Sequence, residues 1–302
     1  SFRNRANVSV TVNANPVITA VTASSSAVCA GTTVTLNGTS VGIAASSNNI
    51  GAGTSTSSSS GTPFYGGYGG TKVQYIFTAA ELTAAGFVPG NITGLALDVT
   101  SAGVGNNYGG FKVTAAQTGQ SSFGSATAIS GLTEVYSSAS YTATSGLNQI
   151  NFSTPINWNG TSNIVVGFCY SNNNASNPNS SVRVETLAST NTQFFLYADN
   201  ATASAICGAT VAADAGGLAQ RGSTRPIIRF FGQRSGVNNS ALLNWSWTPG
   251  SLTGNTVTVN PATTTTYTVN ATNPTTGCVS PDSTITITAY PLPTAPETGN
   301  SE

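Results

Sequence analysis

The chain contains no histidine and no methionine, and only 6% of its 302 residues are charged. Without histidine, neither a Ser-His-Asp triad nor a Cys-His pair can form, and the common imidazole ligand of zinc is missing. Nine basic and nine acidic residues give a net charge of zero, so there is no basic stripe to follow a phosphate backbone. These absences argue against triad hydrolases, zinc sites and a nucleic-acid partner.

Other groups that could do chemistry are also sparse. The nine carboxylates are scattered singly along the chain, with no pair obviously placed for acid–base work on a glycosidic bond. No Asp-rich loop of the calcium-binding kind occurs. Asp199, Asn200 and Asp214 could each give a calcium ion one ligand, but solvated loop residues are the simpler interpretation. We therefore predict no catalytic residue, no metal and no cofactor, and a protein that is not an enzyme.

The residues that are present favour short strands. Ser, Thr, Asn, Gly and Ala dominate, and Val, Ile, Phe and Tyr recur at alternate positions between turn residues, which is typical of an all-β sandwich or jelly roll. Ala79–Gly86 (AAELTAAG) is the one convincing helical turn. The predicted strands include VITAVTA, KVQYIF, ITGLALDVT, GGFKVTAAQ, LTEVY, LNQINF, IVVGFCY, VRVET, TQFFLYA and RPIIRFF.

One strand pattern is interrupted by a long insertion. Val28–Leu36 (VCAGTTVTL) begins a small sandwich pattern that resumes only at Leu243–Thr248 (LNWSWT). Between them, the Ser/Asn/Gly-rich stretch from Ala44 to Gly61 is predicted to be a linker without a core. Insertion into a loop is tolerated where both ends of the insert lie close together. The predicted domains are residues 17–45 with 237–293, an inserted sandwich at 46–236, a terminal strand at 1–16 and a tail at 294–302.

A strand-like segment occurs twice. Val8–Pro16 (VSVTVNANP) matches Ser283–Pro291 (STITITAYP) at an offset of 275 positions. If the second copy closes the split sandwich, the first, with Val8, Val10 and Val12 on one face, is either the closing strand of a preceding unit or a strand free to pair with a neighbouring subunit. The alternative is that any two alternating runs of Val and Thr look alike.

Four cysteines are better explained by two disulfides than by a metal site, because no C-x-x-C pair exists. Three connectivities are possible, and nested pairing, Cys29–Cys278 with Cys169–Cys207, is the simplest. Disulfides indicate an oxidising, extracytoplasmic compartment. No signal peptide and no apolar run of membrane-span length occurs. We therefore expect a mature, soluble piece whose export signal was removed or lies outside the chain.

Specific segments carry a family resemblance. CAGTTVTL, WSWTPG and TVTVNPATTTTYTVNATNPTTGCVSPDSTITIT resemble the Ig-like repeats of large surface and secreted proteins of Bacteroidota that are exported by the type IX pathway. VQYIFTAAELTAAGFVPGNITGLALDV, GGFKVTAAQT and PINWNGTSNIVVGFCY resemble a β-sandwich module of the same proteins. The resemblance implies an Ig-like β-sandwich carrying a larger jelly-roll-like sandwich in one loop, in a modular surface protein with an adhesive or structural role.

The resemblance also implies a modification. Its O-glycosylation pattern is Asp, then Ser or Thr, then a small or apolar residue, and Asp282-Ser283-Thr284 fits it. Ser283 is therefore the candidate glycosylation site of a surface glycoprotein.

Two main functions follow from the sequence. The leading hypothesis is an extracellular structural or adhesive repeat of a filament or stalk, whose partners are neighbouring copies of itself, joined by strand pairing or stacking. The rival is a lectin-like module that binds surface glycans through Tyr65 and Tyr68 of the glycine-flanked PFYGGYGG loop, since exposed rings can stack on sugars. Phe194, Phe195 and Tyr197 are better interpreted as core. A third hypothesis is an accessory domain of a secreted hydrolase.

Overall fold

The structure is a computed structural model and describes residues 15–172, 177–188 and 190–293. More than half of the described residues lie in strands and few of them in helices, which confirms the all-β prediction. Residues 1–14 and 294–302, and with them Val8, Val10 and Val12, lie outside the described part.

Short strands follow one another along most of the described chain. In order, they are β1 (Val17–Ala23), β2 (Ala27–Cys29), β3 (Val34–Ile50), β4 (Ser55–Ser57), β5 (Gly70–Phe77), β6 (Phe87–Ser101), β7 (Tyr108–Thr118), β8 (Thr133–Tyr141), β9 (Gly146–Trp158), β10 (Asn163–Ser171), β11 (Ser181–Thr186), β12 (Gln193–Ala198), β13 (Leu218–Gly222), β14 (Thr224–Pro226), β15 (Ile228–Asn238), β16 (Asn244–Thr248), β17 (Leu252–Thr253), β18 (Thr256–Val259), β19 (Thr265–Thr272) and β20 (Ser283–Tyr290).

The helices are short. They are α1 (Ala79–Ala84), α2 (Ala203–Gly208) and α3 (Ala212–Ala215), with a 3-10 turn at Ser240–Leu242. The start of α1 is a capping box in which the Thr78 hydroxyl accepts from the Glu81 N–H and the Glu81 carboxylate accepts from the Thr78 N–H. This reciprocal cap explains why the AAELTA segment is helical in a strand-rich chain.

The chain divides into two compact units. Among the described residues, unit 1 comprises 15–44 and 235–293, and unit 2 lies within Ala45–Arg234. β3 carries the chain from unit 1 into unit 2, and β15 carries it back.

Unit 1 is a small sandwich. On one side, β3 pairs antiparallel with both β1 and β18. On the other, the order is β17-β16-β19-β20-β2, with β2 parallel to β20. The two tryptophans of β16 are buried and pack with the alternate apolar residues of the neighbouring strands, as the alternation in NWSWT, TVTV and TTYTV predicts. The core includes Val34, Leu36, Trp245, Trp247, Val257, Tyr267, Val269 and Ile287.

Unit 2 is a larger sandwich. One sheet is fully antiparallel in the order β13-β12-β5-β10-β7-β8. In the other, the long strand β6 pairs antiparallel with β9, β15 and β11, and β11 pairs with β4 and β14. Aromatic and branched side chains from both sheets form one continuous core.

A second apolar layer covers the outer face of the six-stranded sheet. Ile206 of α2 and Phe123 of a loop pack on Phe194 and Leu196 of β12. The Cys169–Cys207 disulfide joins β10 to α2 across this layer, so this predicted bridge is confirmed. Phe194, Phe195 and Tyr197 are buried, as expected. A strand buried on both faces explains the unbroken apolar run QFFLYA.

The predicted Cys29–Cys278 bridge is not formed, and Cys29 is a free, exposed thiol. Cys29 faces Tyr290 at the end of β20, whereas Cys278 precedes the start of that strand. Eight residues of strand at about 3.3 Å each separate the two ends by more than about 20 Å. Since the Cα atoms of a disulfide lie within about 7 Å, the geometry of β20 keeps these cysteines apart.

The predicted linker from Ala44 to Gly61 is partly wrong. β3 continues to Ile50, and β4 follows at Ser55–Ser57. The error arises because strand pairing uses the backbone, so a Ser- and Asn-rich segment can extend a sheet when it is held on one side by an existing strand.

Candidate binding surfaces

The free edge of β18 is the surface of unit 1 best shaped for a strand partner. β3 is the one described strand with which β18 pairs. The Gly38 N–H donates to the Asn255 carbonyl (2.7 Å), so these two residues form a hydrogen-bonded pair. In an antiparallel ladder, hydrogen-bonded residue pairs alternate with pairs that share no hydrogen bond. With Thr256 opposite Asn37, the backbone groups of Thr256 and Thr258 therefore point away from β3. Both residues are exposed.

The predicted donor strand lies outside the described residues, but its sequence counterpart is described. Ser283–Tyr290 forms β20, which pairs with β19 on one side and with β2 on the other. The STITITAY segment thus forms a strand that lies between two others, β19 and β2. Ser283, the candidate glycosylation site, lies opposite Val269 at the start of β20 and is half-buried.

Tyr65 and Tyr68 lie in the loop before β5, and both are half-buried. Their ring centroids are 5.9 Å apart, and Tyr68 stacks on the buried Tyr197 ring at 4.2 Å. Burial, and then the neighbouring Tyr68, raises the pKa of Tyr65. Tyr68 therefore packs on its own sheet, and the Tyr197 ring covers one of its two faces.

Backbone contacts hold the same loop in place. The Gly66 N–H donates to Asn179 Oδ1 (2.8 Å), and the Gly69 N–H donates to Asp199 Oδ1 (3.0 Å). Asp214 accepts from the Thr210 N–H (2.7 Å) and caps α3. Asp199 thus supports a loop, as the simpler interpretation expects, whereas Asp214 lies within α3 and holds the start of that helix.

A buried ion cluster lies beside β11. The Arg225 side chain is fully buried, and its guanidinium donates to Glu81 and to Glu185 Oε1, the latter at 2.7 and 2.9 Å from Nη2 and Nε. It also lies 4.5 Å from the Phe77 ring centroid. Burial acts to raise the pKa of Glu81, but hydrogen bonds from Arg225 and Thr78 outweigh it and lower that pKa below its usual value.

Sequence reasoning missed a polar depression on the outward face of the second sheet of unit 2. The Arg183–Arg229 depression, of about 250 Å³, is lined by Asn49, Ala96, Asp98, Leu147, Arg183, Ile227 and Arg229. Arg183 Nε donates to Asp98 Oδ2 (2.8 Å) and Arg229 Nε to Asn49 Oδ1 (3.0 Å). A signal did exist in the sequence: a charged residue interrupts each of the apolar runs LALDVT, SVRV and PIIRFF.

No cluster of three or more His, Cys, Asp or Glu residues that could hold a metal ion occurs in the described ranges. Within those same ranges, no helix has the length and apolarity needed to cross a membrane.

Comparison with known proteins identifies no relative of the chain. No protein-family model matches it, no curated protein matches it, and no solved structure matches it.

Proposed function

We propose that the chain is an extracellular structural or adhesive repeat unit of a cell-surface filament or stalk, which joins neighbouring copies by strand pairing or stacking. The observation that carries this proposal is the free edge of β18. Thr256 and Thr258 each offer one N–H and one C=O, so an added strand gains about four backbone hydrogen bonds with little demand on its side chains. The predicted donor is the alternating segment Val8–Ala14 of a neighbouring copy.

The lack of charge around this edge favours its pairing with a further strand. Asp282 is the one charged residue in the described part of unit 1. Proteins whose sheet edges must stay unpaired usually protect them with Lys or other charges, Pro or bulges. The Thr-rich edge of β18 has no such charge, although its short length limits the number of bonds.

Several features support the finer parts of the proposal. The order β2-β20-β19-β16-β17, the parallel β2–β20 pair and the buried Trp247 on β16 agree with an Ig-like unit. Unit 2 would then be a jelly-roll-like insert between β3 and β16. The Cys169–Cys207 disulfide favours an oxidising, extracellular location, which is compatible with export by the type IX pathway and with a sugar on Ser283.

Strand donation can be tested by comparing assembly of the full chain, a chain lacking residues 1–14, and a Thr258→Pro variant in sedimentation and electron microscopy. The Thr258 N–H points away from β3, so proline removes the edge donor while sparing the β3 ladder. We expect each variant to weaken self-association at least about tenfold. The deletion removes the donated strand, whereas Thr258→Pro removes one N–H from the edge of β18 and its ring blocks the approach of a strand.

Thr258→Val is the matched control, because valine keeps the backbone N–H and the side-chain shape. It should assemble as the unmodified chain does. Unchanged assembly of Thr258→Pro, or a full chain that stays a single copy at millimolar concentration, would contradict strand donation.

Tyr65 and Tyr68 give the lectin-like alternative limited support. Tyr65 is the better candidate for a sugar contact, because stacking on Tyr197 already covers one face of the Tyr68 ring. Loss of glycan-array binding in Tyr65→Ala, with retained binding in Thr258→Pro, would favour the alternative over the filament unit.

A further inference from the structure

We propose that the Arg183–Arg229 depression of unit 2 binds a carboxylated sugar unit, such as a uronic acid of a surface polysaccharide. This site is independent of the β18 edge and of the tyrosine loop. Three features point to such a ligand: the shape of the depression, the unused hydrogen-bond donors of two arginines, and the single carboxylate beside them.

The shape follows from one small residue at the centre of the sheet. Ala96 of β6 lies between Arg229 of β15 and Gln149 of β9 in the strand register. Because side chains alternate along a strand, Ala96 lies on the face opposite to Leu95 and Leu97, which enter the core, and its longer neighbours bury it fully. Its methyl group leaves a hollow between longer neighbours, with the buried Ile227 and the exposed Leu147 among the lining residues.

The two arginines supply donors for an anionic group. Arg229 donates through Nε to Asn49 (3.0 Å), and Arg183 donates through Nε to Asp98 (2.8 Å) and through Nη1 to the Thr54 carbonyl (3.2 Å). Both Nη atoms of Arg229 and Nη2 of Arg183 have no partner within the described residues. A planar guanidinium with two free N–H groups matches a carboxylate in bidentate geometry.

The neighbouring Asp98 narrows the ligand class. Two arginines and one aspartate leave the depression with a charge of +1, which suits a single carboxylate and disfavours densely charged polyanions. Asp98 Oδ2 is taken by Arg183, and Oδ1 is left to accept from a hydroxyl group, since an ionised carboxylate is an acceptor only. A ligand with one carboxylate and several hydroxyls, on a ring with an apolar face for Leu147, is a sugar acid.

The size of the depression supports one sugar unit and not a long oligosaccharide. Pockets for drug-sized ligands have volumes of about 300–1,000 Å³, and this depression, at about 250 Å³, lies just below that range. Other units of a polysaccharide would remain in solvent. Weak binding by one site would gain strength when many copies of the chain are displayed together.

The charge of the adjacent Arg225 cluster does not cancel this attraction. Glu185 Oε1 accepts from Arg225, Glu185 Oε2 accepts from the Ala52 N–H (3.3 Å), and only 14% of the Glu185 side chain is exposed. Glu81 is likewise held by Arg225 and Thr78. Both carboxylates already have donors of their own, so Arg183 and Arg229 remain the cations that face a ligand.

The test is a titration of the full chain with oligogalacturonate, monitored by the arginine Nε–Hε signals in NMR spectra and by calorimetry. We expect saturable shifts of the Arg183 and Arg229 signals and weaker binding at high salt. The methyl ester of the same oligosaccharide keeps the ring and loses the charge, and it should bind at least about tenfold more weakly, because the charge-assisted bonds are lost.

Arg229→Gln is the decisive variant, since Asn49 is the one described side chain that Arg229 bonds and the fold should survive its loss. Affinity should fall at least about tenfold. Arg221→Gln, which makes the same change of charge on β13 of the opposite sheet, should bind as the unmodified chain does. Equal affinity for acid and methyl ester, equal affinity of Arg229→Gln, or no saturable binding at millimolar oligogalacturonate would overturn the proposal. Tighter binding of an acidic peptide than of the sugar acid would overturn it too.

Discussion

Arg225 lies between two carboxylates in unit 2 and is fully buried. The Arg225 side chain also contacts the Ile76 carbonyl and the Phe77 ring. It therefore links α1, β5, β11 and β14 through one side chain. Removing one member of such a cluster leaves the other charges uncompensated, which costs more than the intact cluster contributes.

Replacement of Arg225 with methionine should destabilise unit 2 by about 3 kcal/mol at pH 7, because Glu81 and Glu185 lose their common donor. Lys112→Met is the control, since Lys112 pairs with Glu134 at the exposed surface and such pairs contribute about 0–1 kcal/mol. Urea unfolding gives both values. Equal effects of the two variants would contradict the role assigned to Arg225.

The same variant has a defined pH dependence. Arg225 helps to lower the pKa of Glu81 in the folded chain. A depressed carboxylate pKa contributes stability above the pKa of the unfolded chain, and that contribution is lost as the pH falls through the folded value. The stability difference between the parent chain and Arg225→Met should therefore be largest near neutral pH and should shrink below about pH 4.5. If the stability difference between the two chains stayed constant down to pH 3, the lowered pKa of Glu81 would not be its cause.

At the level of elements, local pattern predicts strands well and their partners poorly. VITAVTA is β1 and KVQYIF lies within β5, because alternation of apolar residues is a local property of the chain. The end of β3 was missed, since its Ser and Asn residues show no alternation. α2 and α3 were missed as well, because each is too short to show a helical repeat of apolar residues. Their few apolar side chains pack on the sheet instead.

Sites that depend on several elements are harder still. Asp98, Arg183 and Arg229 are brought together by the order of β6, β11 and β15 in one sheet, and nothing in their spacing gives that order. The predicted Cys29–Cys278 pair failed for the same reason, since nesting along the chain does not say which end of β20 each cysteine adjoins. The prediction of Cys169–Cys207 succeeded because α2 folds back on β10.

Gly38 on β3 tests the packing of one element of unit 1. A Cβ atom there would lie 2.4 Å from the Trp245 ring, and Trp245 is fixed by a bond from its Nε1 to the Ser240 carbonyl (2.8 Å). Gly38→Ala should therefore destabilise unit 1 by about 1–3 kcal/mol through overpacking, measured by thermal unfolding. Gly119→Ala, which meets nothing within 4 Å, should change stability by less than about 0.5 kcal/mol. A neutral Gly38→Ala would show that the ring can move aside.

At the scale of the molecule, the charges are distributed unequally. Apart from Asp282, every charged residue of the described part belongs to unit 2, which also contains the disulfide, the Arg225 cluster and the Arg183–Arg229 depression. Unit 1 holds the uncharged β18 edge. This distribution fits the two proposals, in which unit 1 would join neighbouring copies and unit 2 would contact an acidic glycan.

The two units should also respond differently to loss of the Cys169–Cys207 bridge. The bridge closes a loop of 38 residues, and chain entropy assigns up to about 4 kcal/mol to a loop of that length. In a chain with Cys169→Ser and Cys207→Ser, amides of β5, β10 and β12 should exchange hydrogen faster by up to about a thousandfold, whereas amides of β16 and β19 in unit 1 should keep their rates. Hydrogen-exchange mass spectrometry measures both sets in one experiment.

Cys29→Ser, which removes an exposed free thiol, should alter neither set. Equal acceleration in both units would mean that they unfold as one cooperative body, and the bridge would then support the β18 edge as well as unit 2.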